Sequence, residues 1–156
     1  MVQIDEHVNK SINLGKVLDD IFIISSIIFN ILVGILYVTT KSGNMALVQF
    51  VGIIVLILII PFTITLIGYI KEKEEKKIVI SLVIILFYFF VEFLLDYILR
   101  IPFRDILALH IPYIIVFYIA DFSMIGVTFD KNKKMGFVVL GTFFILLGCL
   151  IYRYMG

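Results

Sequence analysis

Residues 78–99 read IVISLVIILFYFFVEFLLDYIL, a strongly apolar stretch of 22 residues with two acids, Glu92 and Asp96, near its end. About 20 predominantly apolar residues are enough for a helix to cross the hydrocarbon core of a bilayer. A charged carboxylate at bilayer depth costs about 2.5–3.5 kcal/mol on insertion scales, so each acid needs a structural or functional reason to be there. The stretch therefore predicts a transmembrane helix that contributes to a polar site.

The whole chain shares this apolar character. Of its 156 residues, 62% are hydrophobic and 16% are charged, and the mean hydropathy is +1.16. A soluble domain averages about 45–50% apolar and about 25% charged residues. We therefore expect residues 1–156 to form a single all-α membrane domain whose first partner is the lipid bilayer. The net charge of +1 argues against a nucleic-acid partner, and a single cysteine, Cys149, excludes an intrachain disulfide.

Uncharged runs predict a bundle of five transmembrane helices at residues 21–40, 45–70, 78–99, 112–129 and 135–154. Pro61 is expected to kink the second span, because proline lacks a backbone N–H and clashes with the preceding turn. Pro112 is expected to open the fourth span, since the first helical turn tolerates proline. Residues 1–17 are interpreted as a cytoplasmic interfacial lead, and residues 100–111 as an extracytoplasmic interfacial connector.

The basic residues predict the orientation in the membrane. With five spans, one side receives nine of them: Lys10, Lys16, Lys71, Lys73, Lys76, Lys77, Lys131, Lys133 and Lys134. The other side receives four: Lys41, Arg100, Arg104 and Arg153. An excess of Lys and Arg marks the cytoplasmic side, so we expect a cytoplasmic N-terminus and an extracytoplasmic C-terminus. The preference for Ile and Lys over Val and Arg suggests a microbial genome, and thus the plasma membrane of a prokaryote.

Polar side chains fall on one face of several predicted spans. Helical spacing places Glu92 and Asp96 on one stripe of the third span, Asp121 near the middle of the fourth and Asn30 near the middle of the first. Arg100 follows Asp96 by four residues, which predicts an acid-before-base ion pair. Because polar groups within a membrane bundle face its interior, we expect these five residues to form an acidic site in the middle and outer half of the bundle.

The chemistry of this expected site leaves its ligand open. Carboxylates facing a partly hydrated cavity can carry a proton, and together with amide oxygens they can coordinate a hard cation. His110 would extend a ligand set of Glu92, Asp96 and Asp121 towards a transition metal, whose identity stays unknown. No cofactor is expected, since both histidines lie outside the predicted spans and therefore cannot hold a haem between helices.

Two functions follow from these observations. The first is binding or passage of a cation or small polar ligand through the acidic site. The alternative is a non-enzymatic membrane subunit, or an assembly or regulatory factor, whose buried acids form structural ion pairs. In that case a second copy or a partner membrane protein would complete the function. We do not expect an enzyme, because the residues around Asp121, ADFSMIG at 120–126, lack the GxGD signature of intramembrane aspartyl proteases and the chain has no HExxH motif.

Overall fold

The computed structural model describes residues 2–156, which form helices joined by short connections. The helices are α1 (Val2–Lys41), α2 (Met45–Ile57), α3 (Ile59–Lys71), α4 (Lys76–Phe93), α5 (Leu107–Lys131) and α6 (Lys133–Tyr154). A π-helical turn, Leu94–Ile98, extends α4. Since α2 and α3 together form one interrupted span, five helices are long and apolar enough to cross a membrane. The predicted all-α architecture with five such helices is confirmed.

The first helix is much longer than its predicted span. α1 begins at Val2, so residues 2–17, interpreted from the sequence as an interfacial lead, continue the first span as helix. A helix of this length exceeds the roughly 30 Å of hydrocarbon core, because each residue adds about 1.5 Å. The N-terminal part of α1 therefore projects beyond the apolar part of the bundle.

The fourth span also begins earlier than predicted. α5 starts at Leu107, so the last five residues of the predicted connector, 107–111, belong to this helix. The prediction that Pro112 opens the helix is wrong. The C=O of Ile106 accepts the N–H groups of Leu109 and His110, each at 2.9 Å, so the first turn forms before the proline is reached. Pro112 then only removes one helical hydrogen bond from an already started helix.

The second span is interrupted at Leu58, as the predicted effect of Pro61 requires. The N–H of Leu58 bonds to the C=O of Val55 at 3.1 Å, a three-residue step that ends α2. A proline ring clashes with the carbonyl four residues before it, which here belongs to Ile57, the last residue of α2. Pro61 itself lies in the first turn of α3, where its missing N–H leaves no helical bond unmade.

Aromatic rings fill the centre of the bundle. Phe29 of α1 is fully buried, and its ring centroid lies 5.7 to 6.0 Å from those of Tyr88, Phe89 and Phe117. Phe62 of α3 packs against Phe89 with ring centroids 5.6 Å apart. In lipid, helices associate through close packing, because moving apolar groups from lipid to protein provides little driving force. These rings join α1, α3, α4 and α5 into one core.

Polar contacts identify the two ends of the bundle. At one end, the Lys131 ammonium lies 3.5 Å from Asp19 and also bonds to Glu74, which brings α1, the turn after α3 and the end of α5 together. At the other end, the Lys41 ammonium donates to the C=O of Tyr152 at 2.7 Å. The chain thus alternates between two ends. The nine-to-four division of basic residues is therefore a division between the two ends of the fold.

Candidate functional site

The carboxylate of Glu92 is the centre of a hydrogen-bond network near the C-terminal end of α4. Only 9% of this residue is exposed. Its Oε2 accepts hydrogen bonds from the hydroxyls of Tyr88, at 3.2 Å, and Tyr113, while its Oε1 accepts one from Arg104 at 3.2 Å. The two tyrosine hydroxyls lie 3.3 Å from each other. A buried carboxylate is tolerated only when it is hydrogen-bonded and compensated in charge, and Glu92 meets both conditions.

Arg104 connects Glu92 to the second acid of the same helix. Its guanidinium donates to the two carboxylate oxygens of Asp96 at 2.8 and 3.0 Å, a bidentate arrangement that suits the planar fork of arginine. Its Cζ also lies 4.3 Å from the centroid of the Phe103 ring. Partial desolvation lowers the pKa of Arg104, but the hydrogen bonds to Asp96 and the charge of Glu92 outweigh it and raise the pKa above the ordinary value. Arg104 therefore remains a cation between two acids.

The predicted ion pair between Asp96 and Arg100 is wrong, since Asp96 pairs with Arg104. The four-residue spacing would pair them only if α4 continued as a regular helix. Instead, residues 94–98 widen into a π turn and Arg100 adopts a left-handed backbone with φ of 48°, which ends the helix. None of the ion pairs found within residues 2–156 includes Arg100.

Residue spacing in the sequence does not predict two of the three partners of Glu92. Arg104 follows it by 12 residues across an irregular connection, and Tyr113 by 21 residues on another helix. Only Tyr88, four residues earlier on the same helix, is found by helical periodicity. The network thus depends on how the connection between α4 and α5 folds back.

A cavity of about 940 Å³ opens beside this network, in the half of the bundle that contains the C-terminal end of α4. Its volume lies within the range of about 300–1,000 Å³ that is typical of small-molecule sites. All helices except α3 contribute to its wall. Its charged lining residues are Glu92, Asp96, Arg100, Arg104 and Arg153. Two carboxylates and three guanidinium groups give a formal charge of +1, so the cavity is not the acidic site expected from the sequence.

Asp121 lies apart from Glu92 and Asp96. The hydrogen bond between Glu92 and Tyr113 fixes the register of the antiparallel helices α4 and α5. Asp121 follows Tyr113 by eight residues, which corresponds to about 12 Å along the helix axis. It is fully buried and does not line the cavity. The structure therefore brings Glu92 and Asp96 together and leaves Asp121 in a second polar cluster, closer to the middle of the bundle.

The second cluster joins α1 to α6. The side-chain amide of Asn30 donates to the hydroxyl of Thr142 at 3.1 Å and to the C=O of Val139 at 3.4 Å. The amide also approaches the Asp121 carboxylate, but both carboxylate oxygens of Asp121 and Oδ1 of Asn30 are buried without a hydrogen-bond partner within residues 2–156. Asn30 is thus an interhelical contact, and none of the ion pairs found among residues 2–156 includes the buried Asp121.

The four candidate metal ligands of the sequence analysis do not lie together in one site. They are Glu92, Asp96, His110 and Asp121. His110 lines the cavity, where its ring stacks on that of Tyr113 at a centroid distance of 6.4 Å. Its Nδ1 is buried without a partner among the described residues. Residues 2–156 contain no group of three or more His, Cys, Asp or Glu side chains placed to hold a metal ion. Glu92, Asp96 and Asp121 therefore do not form a metal centre with His110.

Fold and site together define a helical, multi-pass membrane protein with a mainly apolar cavity whose wall carries a network of charged and hydroxyl groups. No protein-family model matches the chain, and neither the curated proteins nor the solved structures contain a match to it. The function is therefore inferred from the geometry of the site.

Replacing Arg104 should destabilise the protein more than replacing Arg100. Arg104→Gln leaves Glu92 and Asp96 without their shared cation, and a cost of about 1–3 kcal/mol is expected for losing charged hydrogen bonds in a partly exposed network. Thermal unfolding of the detergent-purified protein measures the difference. Arg100→Gln is the matched control and should change the melting temperature little. Equal losses in the two variants would contradict the assignment of Arg104 as the partner.

Asp121→Asn should leave the melting temperature unchanged or raise it slightly, because it removes no hydrogen bond and adds a donor near the free Oδ1 of Asn30. Thr142→Val should lower stability by about 1 kcal/mol, since it removes the acceptor of the Asn30 amide. Both are followed by thermal unfolding. A loss with Asp121→Asn larger than that with Thr142→Val would mean that Asp121 has a structural partner.

Proposed function

We propose that this protein binds a small polar or amphipathic ligand in the cavity beside Glu92. The observation that carries the proposal is the coincidence of a cavity of about 940 Å³ with a fixed network of charged and hydroxyl groups at its wall. Sites of this kind orient a ligand through a few convergent polar groups within a mainly apolar wall. The network is held in place by its own hydrogen bonds, so it is organised before a ligand arrives.

Ligand binding explains the charged residues at the cavity better than the passage of a cation does. The carboxylates of Glu92 and Asp96 already pair with Arg104, so neither is free to replace the water around an ion. The lining as a whole has a formal charge of +1, which repels cations. At the inner side of the cavity, Phe117 packs against Phe29 with ring centroids 6.0 Å apart, and an ion path would have to open this aromatic core.

A ligand panel tests this function directly. The full chain is purified in a mild detergent and its thermal unfolding is followed with octyl phosphate, octylamine and octyl glucoside, and with Na⁺ and Mg²⁺ at equal ionic strength. A ligand that binds only the folded state raises stability by about 2.7 kcal/mol at 100 times its dissociation constant. We expect saturable stabilisation by at least one octyl compound.

Glu92→Gln should weaken this stabilisation, because it disturbs the network at the cavity wall. Glu75→Gln is the matched control, since its side chain is 70% exposed at the opposite end of the bundle. The proposal fails if no octyl compound stabilises the protein, or if only a cation does so and loses its effect in Glu92→Gln.

A second candidate function is that of a non-enzymatic subunit or assembly factor. The observation in its favour is that Glu92, Asp96 and Arg104 compensate one another in charge, as structural ion pairs do. A partner membrane protein or a second copy of the chain would then supply the activity. Co-purification of one other membrane protein at a constant ratio would favour this function over ligand binding.

We further propose that the end of the bundle with nine basic residues faces the cytoplasm of a prokaryotic cell, as the positive-inside rule requires. Cysteine labelling tests this orientation in a Cys149→Ala background, where no native thiol remains. An impermeant maleimide added to intact cells should label Ser42→Cys, in the turn between α1 and α2, and should label Ser11→Cys only after the cells are opened. The reverse pattern would overturn the orientation.

A further inference from the structure

The outer part of α2 is not packed against α4. α2 contacts α1 and adjoins α3, whereas α3 is the part of the second span that packs closely against α4. The interruption at Leu58 separates these two parts. Between α2 and the π turn at residues 94–98 there is consequently a seam in the wall of the cavity. Met45 and Ile53 of α2 line the cavity near this seam and are 62% and 50% exposed.

Tyr97 bridges the seam. Its hydroxyl oxygen lies 3.5 Å from the position that a Cβ on Gly52 of α2 would occupy. Its ring stacks on that of Phe93, with centroids 6.0 Å apart and planes inclined by 17°. Both Gly52 and Tyr97 line the cavity. The Tyr97 hydroxyl thus lies against a glycine of α2 at the wall of the cavity, and π turns such as the one that holds Tyr97 occur frequently at functional sites.

Two arginines at the cavity have no acidic partner. Arg100 and Arg153 both line it, and neither belongs to an ion pair among residues 2–156. The Arg153 guanidinium carbon lies 5.7 Å from the centroid of the Tyr37 ring, which holds the side chain at the wall. Arginine is well suited to phosphate, which it binds through two parallel hydrogen bonds. The part of the wall nearer the bundle centre is apolar, with Val33, Val55 and Phe117.

We infer that the ligand of this cavity is an anionic lipid, which enters from the bilayer between α2 and the π turn and places its headgroup at Arg100 and Arg153. The inference rests on the proposed function and names its ligand class. An anionic headgroup complements the two unpaired guanidinium groups. The acyl chains occupy the apolar wall and the seam at Gly52 and Tyr97, where a chain can remain in contact with the bilayer.

Native mass spectrometry of the detergent-purified full chain tests the headgroup. The probes are phosphatidylglycerol, phosphatidylcholine with the same acyl chains, and inorganic phosphate. We expect phosphatidylglycerol to be retained about tenfold or more over phosphatidylcholine, as for the loss of one charged hydrogen bond. The double variant Arg100→Gln/Arg153→Gln should abolish the preference. Lys134→Gln, which removes a charge at the opposite end of the bundle, should keep it.

Three results separate the possible failures. Equal retention of the two lipids would overturn the anionic class. Displacement of phosphatidylglycerol by inorganic phosphate would mean that the ligand is a soluble phosphate, which overturns the lipid source. If octylamine or octyl glucoside stabilises the protein but phosphatidylglycerol does not bind, this inference fails and ligand binding stands. If no lipid and no octyl compound binds, the proposed function itself fails.

The route of entry has its own test. Gly52→Leu fills the seam against Tyr97 and should slow the initial uptake of fluorescent phosphatidylglycerol from vesicles into the nanodisc-embedded protein by about tenfold. Gly141→Leu is the matched control, because a Cβ at Gly141 meets no atom within 4 Å. An unchanged uptake rate in Gly52→Leu would overturn entry between α2 and the π turn.

Discussion

A carboxylate within a membrane bundle must be compensated, and the half of this protein that contains the C-terminal end of α4 is arranged around that constraint at Glu92. Tyr88, Tyr113 and Arg104 reach it from α4, α5 and the connection between them. To place Arg104 there, the chain leaves the helix after the π turn and folds back over the end of α4, which also brings Asp96 into the same network. The network thus joins the end of α4, the connection after it and the start of α5.

The molecule has a packed centre and an open end. At the centre, aromatic rings around Phe29 fill the space between helices, and such packing is a main source of helix association in lipid. Towards the end with the cavity, the interruption at Leu58 lets α2 line the cavity without packing closely against α4. Since Arg104 already compensates Glu92 and Asp96 in part, the charges left for a ligand are those of Arg100 and Arg153. Helix packing and charge compensation together therefore favour an anionic, amphipathic ligand.

Hydropathy was sufficient to predict the five membrane-spanning helices, because each depends on a local run of apolar residues, and Pro61 correctly indicated the interruption of the second. Helical spacing also placed Glu92 and Asp96 on one stripe. Prediction from helical spacing failed where the chain stops being a regular helix. Arg100 lies four residues from Asp96 in sequence, but the π turn and the left-handed backbone of Arg100 prevent the two side chains from lying on one helix face. Asp121 is separated from Glu92 because of how far α4 and α5 are shifted along each other. The spacing of residues in the sequence does not give that shift, which the hydrogen bond between Glu92 and Tyr113 defines.

Arg104 bridges Glu92 and Asp96 at the wall of an open cavity. Single-particle electron cryomicroscopy of the protein in nanodiscs containing phosphatidylglycerol, at a resolution that shows side chains, tests it most directly. We expect the Arg104 guanidinium between the two carboxylates and elongated density in the cavity that continues between α2 and the π turn. An Arg104 side chain turned away from both acids, with α2 packed against α4 and no cavity between them, would contradict it.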